Sequence, residues 1–133
     1  SAKNQRPWEF IVCDDKELLK EIGNRCPNHK MAKDAPLAII VCGNLNRALP
    51  MQLSSYWIQD CSAATENILL RATDLGLGSV WCGVHPQKNA EEKLRECLGL
   101  NEKQIPLNII WIGYPNEEQE ARDQYEEKRV HII

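Results

Sequence analysis

The chain has 133 residues, 43% hydrophobic and 26% charged, and its sixteen Lys and Arg against nineteen Asp and Glu leave a formal net charge of −3. That length suits one domain able to bury about two-thirds of its unfolded surface, and residues 1–133 read as one unit with no internal repeat, low-complexity tract or Pro/Gly linker. The mild acidity gives no electrostatic footprint for nucleic acid or an anionic membrane, and the longest apolar run, Pro36–Cys42, is far too short to cross a bilayer.

Ser1–Pro7 has no apolar core and does not read as a signal peptide. Trp8–Cys13 reads as a strand. Asp14 and Asp15 offer caps for a short helix from Lys16 to about Ile22, with Leu18, Leu19 and Ile22 on its apolar side and Gly23-Asn24 as the predicted stop. Ala35–Cys42 is an apolar run of the kind found in a strand covered on both faces, followed by a loop over Gly43–Pro50.

The best-defined element is a helix from about Ser55 to Leu75. Trp57, Cys61, Ala64, Ile68, Ala72 and Leu75 recur at steps of three and four and form a core stripe. Gln59, Ser62, Glu66 and Thr73 lie opposite, but Ala63 and Leu70 interrupt them, which implies a second packing surface against another layer or another subunit. Gly76 is the predicted left-handed cap. Ser79–Val84 returns as a strand, Asn89 is placed to cap a helix through Leu98, with Glu91 and Glu92 in its first turn and Gly99 after its end. Pro106–Gly113 is a further strand, Pro115–Arg129 is charged and weakly helical, and Val130–Ile133 is a short β-like end. The order β-α-β-α-β-α-β suggests a three-layer sandwich of helices and sheet, with strand directions undetermined.

Six cysteines, Cys13, Cys26, Cys42, Cys61, Cys82 and Cys97, sit in apolar runs or on helical stripes without a C-x-x-C pair. They read as reduced, buried thiols of a cytoplasmic protein, and zinc ribbons and thioredoxin-type motifs are disfavoured. Cys26-Pro27-Asn28-His29 lacks the further ligands of a closed metal site and reads as a surface turn. Gly76-Leu77-Gly78 follows a helix, not a strand, so a cap is favoured over a phosphate cradle. His85 reads as a loop residue, with a general base as the alternative; His131 is uninformative; Glu117-Glu118-Gln119-Glu120 reads as a solvated segment. Trp8, Trp57, Trp81 and Trp111 read as core, and Trp81 is also a candidate wall of an aromatic ligand pocket. No acid–base pair or activated nucleophile emerges, as expected of a binding module or of an enzyme whose cofactor carries the chemistry.

Several phrases, taken in order, resemble the FMN-dependent nitroreductase family: Ser1–Val12 (SAKNQRPWEFIV), Ala35–Val41 (APLAIIV), Gln59–Leu70 (QDCSAATENILL) and Leu75–Gly83 (LGLGSVWCG). Pro106-Leu107-Asn108, Ile112–Pro115 and Asp123–His131 complete the set, which covers nearly the whole chain. The resemblance implies an α+β fold, a three-layer nitroreductase-like sandwich with a central mixed β-sheet flanked by helices. It also implies a homodimer with FMN at the subunit interface, the second face of the long helix packed on the partner, and Val130–Ile133 starting an arm that crosses to the partner's sheet.

Residue by residue, Ser1 and Asn4 match the flavin-contacting polar positions of the family's Pro-Ser-x-x-Asn segment. An amide suits a ring edge that alternates donors and acceptors. Cys82 and Gly83, beside Trp81, fall where the family directs backbone N–H groups at flavin N5 and O4, and Gly83 lets the backbone approach closely. Lys128 and Arg129 match the late basic pair that binds the FMN phosphate, with an ordinary charged tail as the plain alternative. Two departures stand out: the family's N-terminal helix and Arg-rich phosphate segment would precede Ser1, and Arg6 occupies a position usually held by Gln. The expected function is an NAD(P)H oxidoreductase working through FMN on a nitroaromatic, quinone or related acceptor, with NADH or NADPH as donor and no catalytic side chain. The alternative is a non-enzymatic flavin-binding or interaction domain on the same scaffold.

Overall fold

The computed structural model describes residues 1–26, 34–117 and 120–133. Four strands, β1 (Trp8–Cys13), β2 (Leu37–Asn44), β3 (Gly78–Gly83) and β4 (Gln104–Gly113), alternate along the chain with three helices, α1 (Lys16–Arg25), α2 (Tyr56–Asp74) and α3 (Lys88–Leu98). The strands join in the order β1-β2-β4-β3. α1 and α3 cover one face of the sheet and α2 the other, so the expected α+β three-layer sandwich is the fold observed.

All three pairings among the described strands are antiparallel, so these four strands carry none of the mixed character expected of the sheet. β2 and β3, joined through α2, do run parallel to each other. The last strand, β4, then inserts between them and turns both contacts into antiparallel ones.

Period-two alternation assigns the two faces. Ala38, Ile40, Cys42, Ile109 and Trp111 bury against Leu19 and Ile22 of α1 and Ala90 and Leu94 of α3. Val41, Ile110 and Ile112 bury against Trp57 and Cys61 of α2. A register shift opposite Val41 and Cys42 leaves Leu107 on the α2 face beside Asn108. The neighbouring Pro106 is tolerated in this central strand because a bulge needs no ladder donor there.

Several boundaries differ from the sequence reading. Asp15 caps α1 as predicted, its carboxylate accepting from Leu18 N–H at 2.8 Å. The helix nevertheless runs through Gly23-Asn24 to Arg25, because Ile22 is fully buried and Arg25 pairs with Glu21 at 2.7 Å. Those contacts outweigh the roughly 1 kcal/mol that an interior glycine costs a helix. Gly43 and Asn44 extend β2 instead of opening a loop. Gly43 is required there: a Cβ would stand 2.2 Å from Cε3 of Trp57. α3 begins at Lys88, so the cap position falls on Gln87, two residues before the predicted Asn89. α2 ends as predicted, with Gly76 at φ +71° and Leu77 N–H bonding back to the Ala72 carbonyl at 2.9 Å. Leu75, expected on its core stripe, is exposed, while Asp60 and Thr65 are buried.

The tail forms one short turn, Glu127–Arg129, not a weak helix over 115–129, and Val130–Ile133 is exposed and unpaired in the sheet. A strand requires a neighbour to satisfy its backbone groups, and the described chain offers this segment none. Pro27, Asn28 and His29 of the Cys-His motif, and Glu118-Gln119 of the acidic run, lie outside the described residues. All six cysteines are free thiols. No helix among the described residues is long and apolar enough to cross a membrane.

Candidate functional site

The antiparallel register brings four chain segments to one end of the sheet. Trp8 pairs with Gly43, Asn44 with Gln104, and Gly83 with Asn108, so the start of β1, the end of β2, the start of β4 and the end of β3 lie together. Glu9 ties three of them, accepting from Gln104 Nε2 at 2.6 Å and from the Asn44 amide. These two hydrogen bonds, that from Gln104 first, hold its carboxyl below the ordinary value of 4.5.

The N-terminal half of α2 touches the loops at this end one after another. The Trp57 ring meets the imidazole of His85 edge-on, with centroids 5.0 Å apart. One turn on, the Asp60 carboxylate accepts the Ala2 N–H at 2.7 Å. A further turn on, the Thr65 hydroxyl donates to the Cys61 carbonyl at 2.9 Å and accepts from Asn108 Nδ2 at 2.9 Å. The other amide atom of fully buried Asn108, Oδ1, has no partner among the described residues.

Ser1–Arg6 is held in an unusual conformation. Lys3, Asn4 and Arg6 have φ of +47°, +55° and +48°, although none is glycine. The left-handed region costs an ordinary L-residue roughly 1–2 kcal/mol, and less for Asn. Local bonds support the turn: Ser1 Oγ accepts from Arg6 N–H at 2.9 Å, and the Ser1 carbonyl accepts from Asn4 N–H at 3.0 Å. Ser1, Asn4 and Arg6 are exposed.

On β3, Trp81 and Gly83 face the α2 side and Cys82 the α1–α3 side. Trp81 is 38% exposed, so it is not the core residue its type suggests. A Cβ built on Gly83 would meet nothing within 4 Å, which leaves open space at this point of the edge strand. Burial pushes the Cys82 thiol up, away from the thiolate a nucleophile would need. Just beyond, His85 Nδ1 lies 2.7 Å from Glu91 Oε1, and Glu91 is itself buried in the first turn of α3.

The predicted residues therefore fall into three places. Ser1 and Asn4 lie in the turn that Asp60 of α2 holds through Ala2, and Trp81, Cys82 and Gly83 lie on β3, an edge strand of the sheet. Lys128 and Arg129 are exposed in the tail, where both pair with Glu126, at 3.0 Å and 2.9 Å. The sequence reading missed Asp60, Thr65, Asn108 and the partnership of His85 with Glu91. A signal existed for two of them, since Asp60 and Thr65 fall on the buried side of α2 at helical spacing from Trp57 and Cys61. Among the described residues no cluster of His, Cys, Asp and Glu could hold a metal ion.

The family model described as the nitroreductase family matches residues 24–114. A relative in Methanothermobacter thermautotrophicus, named "Putative NADH dehydrogenase/NAD(P)H nitroreductase", is 42% identical over 132 residues, which is 99% of this chain and 68% of that protein. A relative of the same name in Archaeoglobus fulgidus is 43% identical across 98% of this chain and 76% of its own. Among solved structures, one described as an FMN-dependent nitroreductase from Clostridium difficile superposes with a TM-score of 0.89 at 35% identity, covering 99% of this chain and 78% of that one.

Proposed function

The chain belongs to the nitroreductase family, and from that premise we propose that it is an FMN-dependent NAD(P)H oxidoreductase acting as a homodimer. The observation that carries this reading is the open space at Gly83 on an edge strand beside the exposed ring of Trp81. It is a place where backbone and an aromatic face are left uncovered by the chain itself. The residues present fit a flavin. Gly83 has no side chain to hold a planar ring away from the strand, and Asn4 offers an exposed amide with both donor and acceptor. Lys128 and Arg129 are exposed cations that would hold the phosphate once they leave Glu126.

When bound, FMN supplies the two-electron chemistry: hydride transfer through N5, in ping-pong order, between NADH or NADPH and an electron-poor acceptor such as a nitroaromatic or quinone. The chain's own part is to bind, orient and exclude water. The backbone at Cys82–Gly83 would face the N5 and O4 edge, and Ser1 and Asn4 the polar rim. No side chain need act as nucleophile, in keeping with the raised pKa of Cys82.

Exposed Leu70 on α2 and exposed Val130, Ile132 and Ile133 in the tail are apolar surface that a second copy would cover. The reduced thiols accord with a cytoplasmic setting.

The test is a visible absorption spectrum of the purified protein, identification of any extracted flavin, and then NAD(P)H oxidation with a quinone or nitroaromatic. A flavin spectrum yielding FMN, with turnover above the free-flavin rate, is the expected result. FMN binding without turnover would favour a flavin carrier on this scaffold, and a colourless protein that rejects added FMN would remove the enzyme reading.

A further inference from the structure

We infer that Asp60 is a positioning residue: its buried carboxylate on α2 fixes the left-handed turn of Ser1–Arg6 and so presents Asn4 to the flavin. The second half of that statement rests on the function proposed above, whereas the first half stands on geometry alone.

Asp60 is 8% exposed, between the buried apolar side chains of Trp57 and Cys61 on α2. A carboxylate is retained in such surroundings only where it is hydrogen-bonded. Its bond reaches the backbone N–H of Ala2, 58 positions earlier in the chain, at 2.7 Å, a charge-assisted length. The segment it grips carries three non-glycine residues in the left-handed region, Lys3, Asn4 and Arg6. Such conformations persist only where the surroundings over-determine them. Apart from the Ser1 nitrogen, 4.0 Å from the same Asp60 oxygen, the segment's remaining bonds, among Ser1, Ala2, Asn4, Gln5 and Arg6, are local and mostly exposed. They shape the turn without attaching it to the domain.

Asp60 therefore supplies the anchor, and α2 is well placed for this. The same face of the helix meets His85 through Trp57 and the Gly83 strand through Thr65 and Asn108. A single rigid element thus sets the position of the amino-terminal turn relative to β3. Anchoring in advance lowers the ordering cost of binding a planar ligand, so it is read in flavin affinity.

The experiment uses Asp60→Ala and Asp60→Asn in the full protein with two readouts. The first is hydrogen exchange at the Asn4, Gln5 and Arg6 amides without flavin; the second is FMN affinity by fluorescence titration. In Asp60→Ala, exchange at these three amides is expected to rise at least about tenfold, because local opening becomes easier. FMN affinity is expected to fall at least about tenfold. Asp60→Asn keeps an oxygen acceptor in the same place and should restore most of both.

Wild-type exchange rates in Asp60→Ala would overturn the anchoring role, whether or not the protein binds FMN. A loosened turn with unchanged FMN affinity would overturn the link from Asp60 to the flavin. Failure of the wild-type protein to bind FMN would overturn the functional reading and that link together, while the exchange data still decide the anchor. Should Asp60→Ala not fold, Ala2→Pro removes the donating N–H instead, and the same outcomes apply.

Discussion

The two faces of the sheet are finished to different degrees. Under α1 and α3, Ile22, Ile40, Leu94 and Ile109 are fully buried and Trp111 nearly so, and the layer closes with apolar side chains and thiols, apart from Glu91 at the start of α3. Under α2, Val41 and Ile110 are buried as deeply, but Thr65 and Asn108 share the interior with them, and Trp81, Phe10 and Val12 reach solvent. Among the described residues nothing lies within 4 Å of a Cβ built on Gly83. The first face is a core that the chain completes by itself. The second is a core for half its length and carries the proposed flavin surface along the rest, and Asp60, Thr65 and Asn108, three of the polar side chains missed in the sequence, lie on it. Stability should be concentrated on one face and ligand affinity on the other.

The largest effect expected from that division is on stability. Leu94→Ala, on the closed face, should destabilise the fold by about 2–5 kcal/mol in chemical denaturation, through lost burial and a residual cavity. FMN affinity of the protein that remains folded should be unchanged; a parallel loss of affinity would break the division. Gly83→Val tests the other face. Its side chain would enter open space, so the unfolding midpoint should move little, while flavin affinity should fall about tenfold or more, equivalent to about 1.4 kcal/mol.

A smaller effect is expected at Cys82, whose side chain points to the closed face although its backbone belongs to the proposed site. Cys82→Ala should keep kcat/KM for NAD(P)H-dependent reduction within about threefold of the wild-type value. Complete loss of turnover with FMN retained would assign the thiol a chemical role that its raised pKa argues against.

The smallest effect is one of pH. The folded-state pKa of Glu9 is depressed, chiefly by the Gln104 and then the Asn44 hydrogen bond. Its contribution to stability is therefore present above the ordinary value of 4.5 and is lost as pH falls through the lower folded value. Glu9→Gln should lower the neutral plateau slightly and flatten the acid limb of the stability–pH curve. At the opposite end of the scale, burial pushes Cys42 and Cys61 up to about 12, so both should resist alkylation at pH 8 until the protein unfolds.

Much of this protein was legible in its residues, because the signals concerned are local. Alternation and the 3.6-residue period placed all seven elements of the sandwich in order, Asp15 and Gly76 marked helix ends through their own backbone chemistry, and the ordered phrases from Ser1 to His131 pointed to the right family. What remained undecided depended on residues far apart in sequence. The insertion of β4 between β2 and β3 made the sheet antiparallel, and the ring of Trp57 against Gly43 kept β2 running past its apolar stretch. An N–H of the second residue gave Asp60 its partner, and His85 gave Glu91 one. A buried polar side chain is stable only when a partner arrives to satisfy it. Periodicity can mark such a position as facing inward, but only the tertiary structure decides which group meets it there.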